Sequence, residues 1–277
     1  MLDKHDCYEL CVQSPRHVVS LLRALHGNEP IVLREDFCGT AAVARRWCEE
    51  ARARGEPARA WAADLDVECM TRAREHSRAA GIGDMLTTLH ADLLADEHGG
   101  GMGVGMGEGA DVVFVGNFSI GYARTRESLL AYLRRCKRHL DLGLGGFGGG
   151  VFVCDTYGGA SAFALGGLER RHPSRGREVV HYVWQHEAAD PTTSMVRNSI
   201  GFRVELEGEI VAEYPRAFVY EWRLWSIAEL REAMRDAGFV RTAVYQDLNL
   251  APGQPAVPVS DEKPLGADWI VAVAGWV

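Results

Sequence analysis

Residues 31–41, Ile31-Val32-Leu33-Arg34-Glu35-Asp36-Phe37-Cys38-Gly39-Thr40-Ala41, decide how this chain reads. A buried strand ends in an acidic residue, turns on a glycine and opens directly into a helical pattern. So tight a junction lets backbone N–H groups approach a ligand closely, and Glu35 stands where a carboxylate can accept hydrogen bonds from it. A dinucleotide site would carry G-x-G-x-x-G, whose second glycine lets a pyrophosphate lie against the backbone. Here only Gly39 remains, flanked by Phe37 and Ala41. The turn predicts a nucleotide-like cofactor without a diphosphate.

Further acidic strand ends follow. The run 59–63 leads to Asp64-Leu65-Asp66 and then a helical pattern through Arg78. A carboxylate at the end of the second strand, some 20 to 30 residues past the glycine, is placed to bond both hydroxyls of a ribose. Asp64 takes that role, and Asp66 is read as the helix cap. A third strand, 85–90, ends at Ala91-Asp92-Leu93, and a fourth, 110–115, at Gly116-Asn117-Phe118-Ser119. An amphipathic helix over 126–140 and a fifth strand over 150–154 come next, the latter ending at Asp155-Thr156-Tyr157. Alternation of this kind predicts a doubly wound parallel sheet with its ligand beyond the carboxyl ends of the strands. Near the C-terminus, Ser226 and Glu229 form a capping-box pattern for a helix over 227–237, and the apolar run 269–273 makes a last strand.

Taken in order, these segments resemble the class I S-adenosylmethionine-dependent methyltransferases of the small-molecule type. Their motif I is roughly acidic-x-G-x-G-x-G, and variants written E-x-F-C-G-T-G/A occur among them. Glu35 matches the acidic position, Phe37 replaces the first glycine, Gly39 is the central one and Ala41 replaces the third. The resemblance implies a Rossmann-like α/β sheet, mostly parallel with the last strand antiparallel, and an antiparallel β insertion before the last helix. It implies S-adenosyl-L-methionine bound by Glu35, Phe37, Cys38, Gly39, Thr40, Ala41, Asp64, Leu65, Asp92, Leu93 and Asn117. Asp92 would accept the adenine amine between the apolar faces of Leu65 and Leu93. The expected organisation is a helical cap over 1–29, a cofactor-binding core over 30–157, an insertion or substrate lid over 158–224, and the rest of the core over 225–277.

The insertion changes pattern. Tracts 179–187, 194–206 and 209–222 alternate as antiparallel strands, with Glu207-Gly208 a hairpin turn between the last two. Its aromatics, among them Tyr182, Trp184, Phe218, Tyr220 and Trp222, fit an apolar pocket, a homodimer interface or a satellite core equally. Arg170, Arg171, Arg175 and Arg177 read as a solvated loop or an anion site. The N-terminal segment 8–25 reads as one or two helices split at Ser14-Pro15, with Tyr8 and Gln13 near the cofactor or simply packed on the sheet. His181 is the first candidate base, with Tyr157, Asp155 and His186 behind it. Tyr8, Asp155 and Arg223 are candidate substrate contacts.

Composition sets the bounds. With 277 residues and 47% apolar composition the chain can bury a substantial core. A net charge of −8 argues against a nucleic-acid partner, whose phosphates need an excess of Lys and Arg. There is no apolar stretch of about 18 residues to span a membrane, and the start lacks a signal-peptide pattern. Seven cysteines without close metal spacing suit a reduced, cytoplasmic protein, and no metal is expected. Glycine-rich tracts at 99–109 and 143–150 lack the Lys-Ser/Thr of a P-loop and read as flexible connections. Two other functions remain open: a catalytically silent relative that binds a partner, and a nicotinamide oxidoreductase, disfavoured by the missing glycines.

Overall fold

The computed structural model describes residues 1–27, 29–95, 109–142, 149–260 and 264–277. The two glycine-rich tracts fall almost wholly outside the described residues. Two helices open the chain. In α1 (Lys4–Cys11) the Asp3 carboxylate accepts from the His5 and Asp6 N–H groups, and Asp6 accepts from the Asp3 N–H in return. Helix α2 (Pro15–His26) begins on a proline, whose missing N–H is unneeded in a first turn, and ends at Gly27 with φ +76°.

Alternation then sets in as the periodicity predicts: β1 (Val32–Asp36), α3 (Ala42–Arg54), β2 (Arg59–Asp64), α4 (Val67–Ala79), β3 (Leu86–His90) and β4 (Val112–Val115). A 3₁₀ turn (Ser119–Tyr122), α5 (Arg126–Asp141) and β5 (Val151–Gly159) follow. Four antiparallel strands come next: β6 (Gly166–Pro173), β7 (Glu178–Asp190), β8 (Met195–Leu206) and β9 (Glu209–Arg223). The chain closes with α6 (Ile227–Asp236), β10 (Arg241–Tyr245) and β11 (Asp268–Trp276).

The larger sheet runs β10-β11-β5-β4-β1-β2-β3, and β11 alone is antiparallel to its neighbours. Successive strand residues face opposite ways, so each strand feeds two cores. Leu33, Val112 and Phe114 meet Leu22 of α2, Trp47 of α3 and Met70 of α4. Val113, Val115 and Phe152 meet Leu129 and Leu133 of α5 and Met234 of α6. The second face also takes charge. Arg34 Nε donates to Asp36 Oδ1 at 2.8 Å, and the Tyr132 hydroxyl donates to Oδ2 at 2.7 Å, with Asp36 fully buried. A carboxylate survives in such a place only because both oxygens are bonded.

Two features depart from the sequence reading. Strand β5 continues through Asp155-Thr156-Tyr157, which were expected beyond its end. It outlasts β4 because β11 pairs with it from Val151 to Gly159, supplying partners after the parallel neighbour stops. Second, only part of the arginine-rich segment is a loop: Arg175 and Arg177 lie between β6 and β7, but Arg170 and Arg171 lie in β6, the edge strand of the smaller sheet. There Arg171 pairs with Glu205, and beyond the strand Arg177 pairs with Glu207, so carboxylates of the same sheet engage two of the expected anion ligands. The segment 8–25 forms two helices split at Ser14-Pro15, one of the arrangements the sequence reading allowed. The first packs on the smaller sheet, where Cys7 meets Val180, Ile200 and Phe202.

The two sheets are sewn together beside the 3₁₀ turn. Trp225 Nε1 donates to the Ala123 carbonyl at 2.8 Å, and Thr156 Oγ1 donates to the Trp225 carbonyl at 3.1 Å. Gly121 lies so close to β9 that a Cβ there would stand 2.7 Å from the Trp222 Cβ and 2.9 Å from the Arg223 carbonyl oxygen. Gly121→Ala is therefore expected to wedge this seam and to cost about 1–3 kcal/mol, read as a lowered denaturant midpoint. An unchanged midpoint would show that the seam yields freely.

Candidate functional site

A cleft of about 670 Å³ opens beyond the carboxyl ends of β1, β2 and β3. Its floor is the β1–α3 turn. There Phe37, Gly39 and Ala41 all have positive φ, at +54°, +54° and +57°. These are the three positions at which the methyltransferase motif carries glycine. The chain keeps the glycine backbone while placing side chains at two of the sites, at a cost of about 1–2 kcal/mol for each left-handed non-glycine residue. Packing offsets it: Ala41 is fully buried, and the Phe37 ring stacks on Tyr122 at 5.9 Å. A Cβ on Gly39 would meet nothing within 4 Å, so the one true glycine keeps bare backbone beside open space.

Asp64 ties this turn to β2. One carboxylate oxygen accepts from the Gly39 N–H at 2.7 Å and the other from the Asp66 N–H at 2.9 Å. Asp66 in turn caps α4 by accepting from the Glu68 and Cys69 N–H groups, as its position predicts. Burial raises the Asp64 carboxyl above its ordinary value, against the pull of these bonds.

The structure separates the predicted residues into groups. Phe37, Cys38, Gly39, Thr40, Asp64, Leu65, Asp92, Leu93 and Asn117 line the cleft, together with Tyr8 and Gln13 of the N-terminal segment. Glu35 and Ala41 do not. The Glu35 carboxylate is buried beneath the turn and accepts from the Ala44 N–H at 2.7 Å, so it anchors the start of α3. Desolvation pushes its carboxyl up to about 8. Asp155 also points into backbone: it accepts from the N–H groups of Asn117 at 2.9 Å and Phe118 at 2.6 Å.

Two candidates line neither the cleft nor the second cavity described below. His181 stands on the face of β7 opposite the aromatic one, bridging Glu169 at 2.9 Å and Glu205 at 2.8 Å. Alternation in the strand is the reason: Tyr182, Trp184 and His186 face inward and His181 cannot join them. Arg223 donates to Glu229 and lies 3.8 Å above the Trp225 ring, an arrangement that serves the start of α6. The sequence reading missed His5, Tyr122 and Arg124, which line the cleft together with the inward-facing Phe218 and Tyr220 of β9. The i, i+2 spacing of Phe218, Tyr220 and Trp222 already placed these aromatics on one face of β9.

A second cavity of about 580 Å³ lies past β5, bounded by Tyr157, Tyr182, Trp184, His186 and Trp269. Phe118 borders it, while the preceding residue, Asn117, borders the cleft. The two spaces thus adjoin at Asn117-Phe118, where the Trp222 ring lies 5.9 Å from that of Phe118.

No protein-family model and no curated protein sequence matches the chain. Solved structures do. A S-adenosylmethionine-dependent methyltransferase from Clostridium acetobutylicum is 15% identical, with 98% of this chain and 96% of that one covered at a TM-score of 0.66. DesVI of Streptomyces venezuelae is 18% identical, with 100% and 99% covered at 0.67. CalS10, an amino pentose methyltransferase from Micromonospora echinaspora described with bound SAM, is 16% identical, with 100% and 98% covered at 0.63. The chain has the S-adenosylmethionine-dependent methyltransferase fold. In this chain that methyltransferase fold is the mostly parallel seven-stranded sheet with β11 antiparallel described above.

The raised carboxyl of Glu35 carries a consequence for stability. Between its ordinary value near 4.5 and about 8 the native protein holds a proton that the unfolded chain has released. Stability from this group therefore falls as pH rises through that window. Glu35→Gln keeps an oxygen for the Ala44 N–H and is expected to flatten the dependence, gaining on the parent as pH approaches about 8. Urea midpoints measured across the window would show it, and parallel curves for the two proteins would contradict it.

Proposed function

We propose that this protein is an S-adenosylmethionine-dependent methyltransferase acting on a small-molecule acceptor. The observation that carries the reading is the β1–α3 turn: three left-handed positions in the motif spacing, with the central N–H held by the carboxylate that ends β2. The full-length likeness to methyltransferase structures supports it.

The lining suits the cofactor. Asp64, Asp66 and Asp92 give the cleft a negative field, and its arginine, Arg124, is engaged by Glu221. Such a field favours a ligand that carries a sulfonium and an ammonium. Asp64 would hold the ribose, Leu65 and Leu93 the faces of the adenine, Asp92 its amine, and Gly39 with Asn117 the amino-acid portion. The cofactor brings a methyl group already activated by its sulfonium. The protein's task is then alignment and exclusion of water, and the aromatic side chains of β9 with Tyr8 and Tyr122 provide the dry boundary.

The acceptor reads as a small molecule because the chain carries net negative charge and its structural neighbours include an amino pentose methyltransferase. Among the described residues no helix is long and apolar enough to cross a membrane, and no cluster of metal-ligating side chains occurs.

Calorimetric titration with S-adenosylhomocysteine and S-adenosylmethionine tests the reading. Both are expected to bind, and Asp64→Ala is expected to weaken them by about tenfold or more, as loss of a charged hydrogen-bonding partner does. Flat titrations with the parent protein would reject the proposal.

A further inference from the structure

The second cavity holds a buried polar cluster that nothing in the cofactor cleft requires. His186 is 8% exposed, and its Nδ1 lies 3.0 Å from the Ala164 carbonyl oxygen. A carbonyl only accepts, so Nδ1 carries the ring proton and Nε2 is left with its lone pair. That lone pair lies 3.3 Å from the Tyr157 hydroxyl, which donates to it. Burial pushes His186 below its ordinary value and keeps the ring neutral near pH 7. Asn198, fully buried, donates its Nδ2 to the same phenol oxygen at 3.3 Å. The hydroxyl of Tyr157 is thus fixed in direction by two groups. Its proton points at His186, one acceptor direction is filled by Asn198, and its remaining acceptor capacity is left for a donor in the cavity that Tyr157 lines.

The surroundings say what kind of donor. Trp184, Tyr182 and Trp269 present broad aromatic faces, and Gly158 lets the Trp269 indole rest on the β5 backbone, where a Cβ would come within 2.3 Å of the ring. Asp268 also lines the cavity, and its Oδ1 accepts from the Ser161 N–H and hydroxyl. Aromatic faces beside a directed hydroxyl and the charged groups of Arg170 and Asp268 suit a saturated ring that bears hydroxyl or amino substituents, whose C–H faces stack on indole. The cavity adjoins the cofactor cleft at Phe118, whose ring lies 4.8 Å from that of Tyr157.

We propose that Tyr157, oriented by Asn198 and His186, receives the N–H or O–H of an acceptor sugar's nucleophile in this cavity and takes up the proton that nucleophile loses. As the N–H or O–H of the substrate breaks, a new O–H forms on Tyr157. The original hydroxyl proton moves to His186 Nε2, so the phenol ends unchanged and the charge rests on an imidazolium. Tyr157 touches the substrate, and His186 acts through it. The inference rests on the methyltransferase reading for the identity of the reaction, but not for the existence of the sugar site.

The test uses the full chain saturated with S-adenosylhomocysteine, titrated with D-glucosamine and separately with D-glucose, following tryptophan fluorescence. Saturable binding in the millimolar range is expected. The tighter of the two sugars assigns the nucleophile as amine or hydroxyl. Tyr157→Phe is expected to weaken the sugar by about threefold to tenfold, the worth of one neutral hydrogen bond, while leaving S-adenosylhomocysteine affinity unchanged. In ¹⁵N spectra of the ring, sugar should shift the His186 Nε2 resonance in the parent and not in Tyr157→Phe, a response that mere packing would not produce. Absence of sugar binding, equal binding by Tyr157→Phe, or a silent His186 would overturn the proposal. Failure to bind S-adenosylhomocysteine would instead count against the methyltransferase reading.

Discussion

The arrangement of both cavities hangs on one carboxylate. Asp155 accepts two backbone N–H groups, from Asn117 and Phe118, and so holds two consecutive non-glycine residues at φ +54° and +63°. Each such residue costs about 1–2 kcal/mol. Hydrogen bonds to a charged acceptor contribute about 1.5–3 kcal/mol apiece, enough to offset the strain. The reward is directional: the twist turns Asn117 toward the cofactor cleft and Phe118 toward the second cavity. Burial raises the Asp155 carboxyl to about 6, so the clamp is charged at neutral pH.

Strain of this kind is concentrated where strands end. Phe37, Ala41, Asn117 and Phe118 all sit at carboxyl ends of β1 and β4, and each is bonded or packed by a residue of a neighbouring strand or helix. Strained backbone persists where its surroundings over-determine it, and such sites tend to be functional. The rigid sheet is what makes the over-determination available here.

Much of this was legible in the sequence, and the rest was not for identifiable reasons. Strand ends announce themselves by an acidic or small polar residue after an apolar run, so Asp64, Asp92 and Asn117 could be placed at the cleft from order alone. Glu35 and Asp155 were placed at the same edge correctly, but sequence carries no signal for whether a carboxylate turns outward to a ligand or inward to backbone N–H groups. His181 failed for a sharper reason. A strand's two faces differ by a single position, and the alternation that marked Tyr182, Trp184 and His186 as one set already excluded it. Strand β6 was hidden because its exposed, charged residues obey the rule for sheet edges and so look like a loop. The left-handed turn positions at Phe37 and Ala41 were foreshadowed only by their correspondence with glycines.

The Arg34–Asp36 pair behind the site bears on how the strand finds its place. Sliding β1 by a single residue against β2 and β4 would thrust both charges among the side chains of α2 and α3, while Glu35 would face the leucines of α5. The Tyr132 hydroxyl that bonds Asp36 lies on the other face. The ion pair with Tyr132 therefore works as an alignment key, rejecting misthreaded versions of the sheet in which the glycine turn would open onto the wrong side.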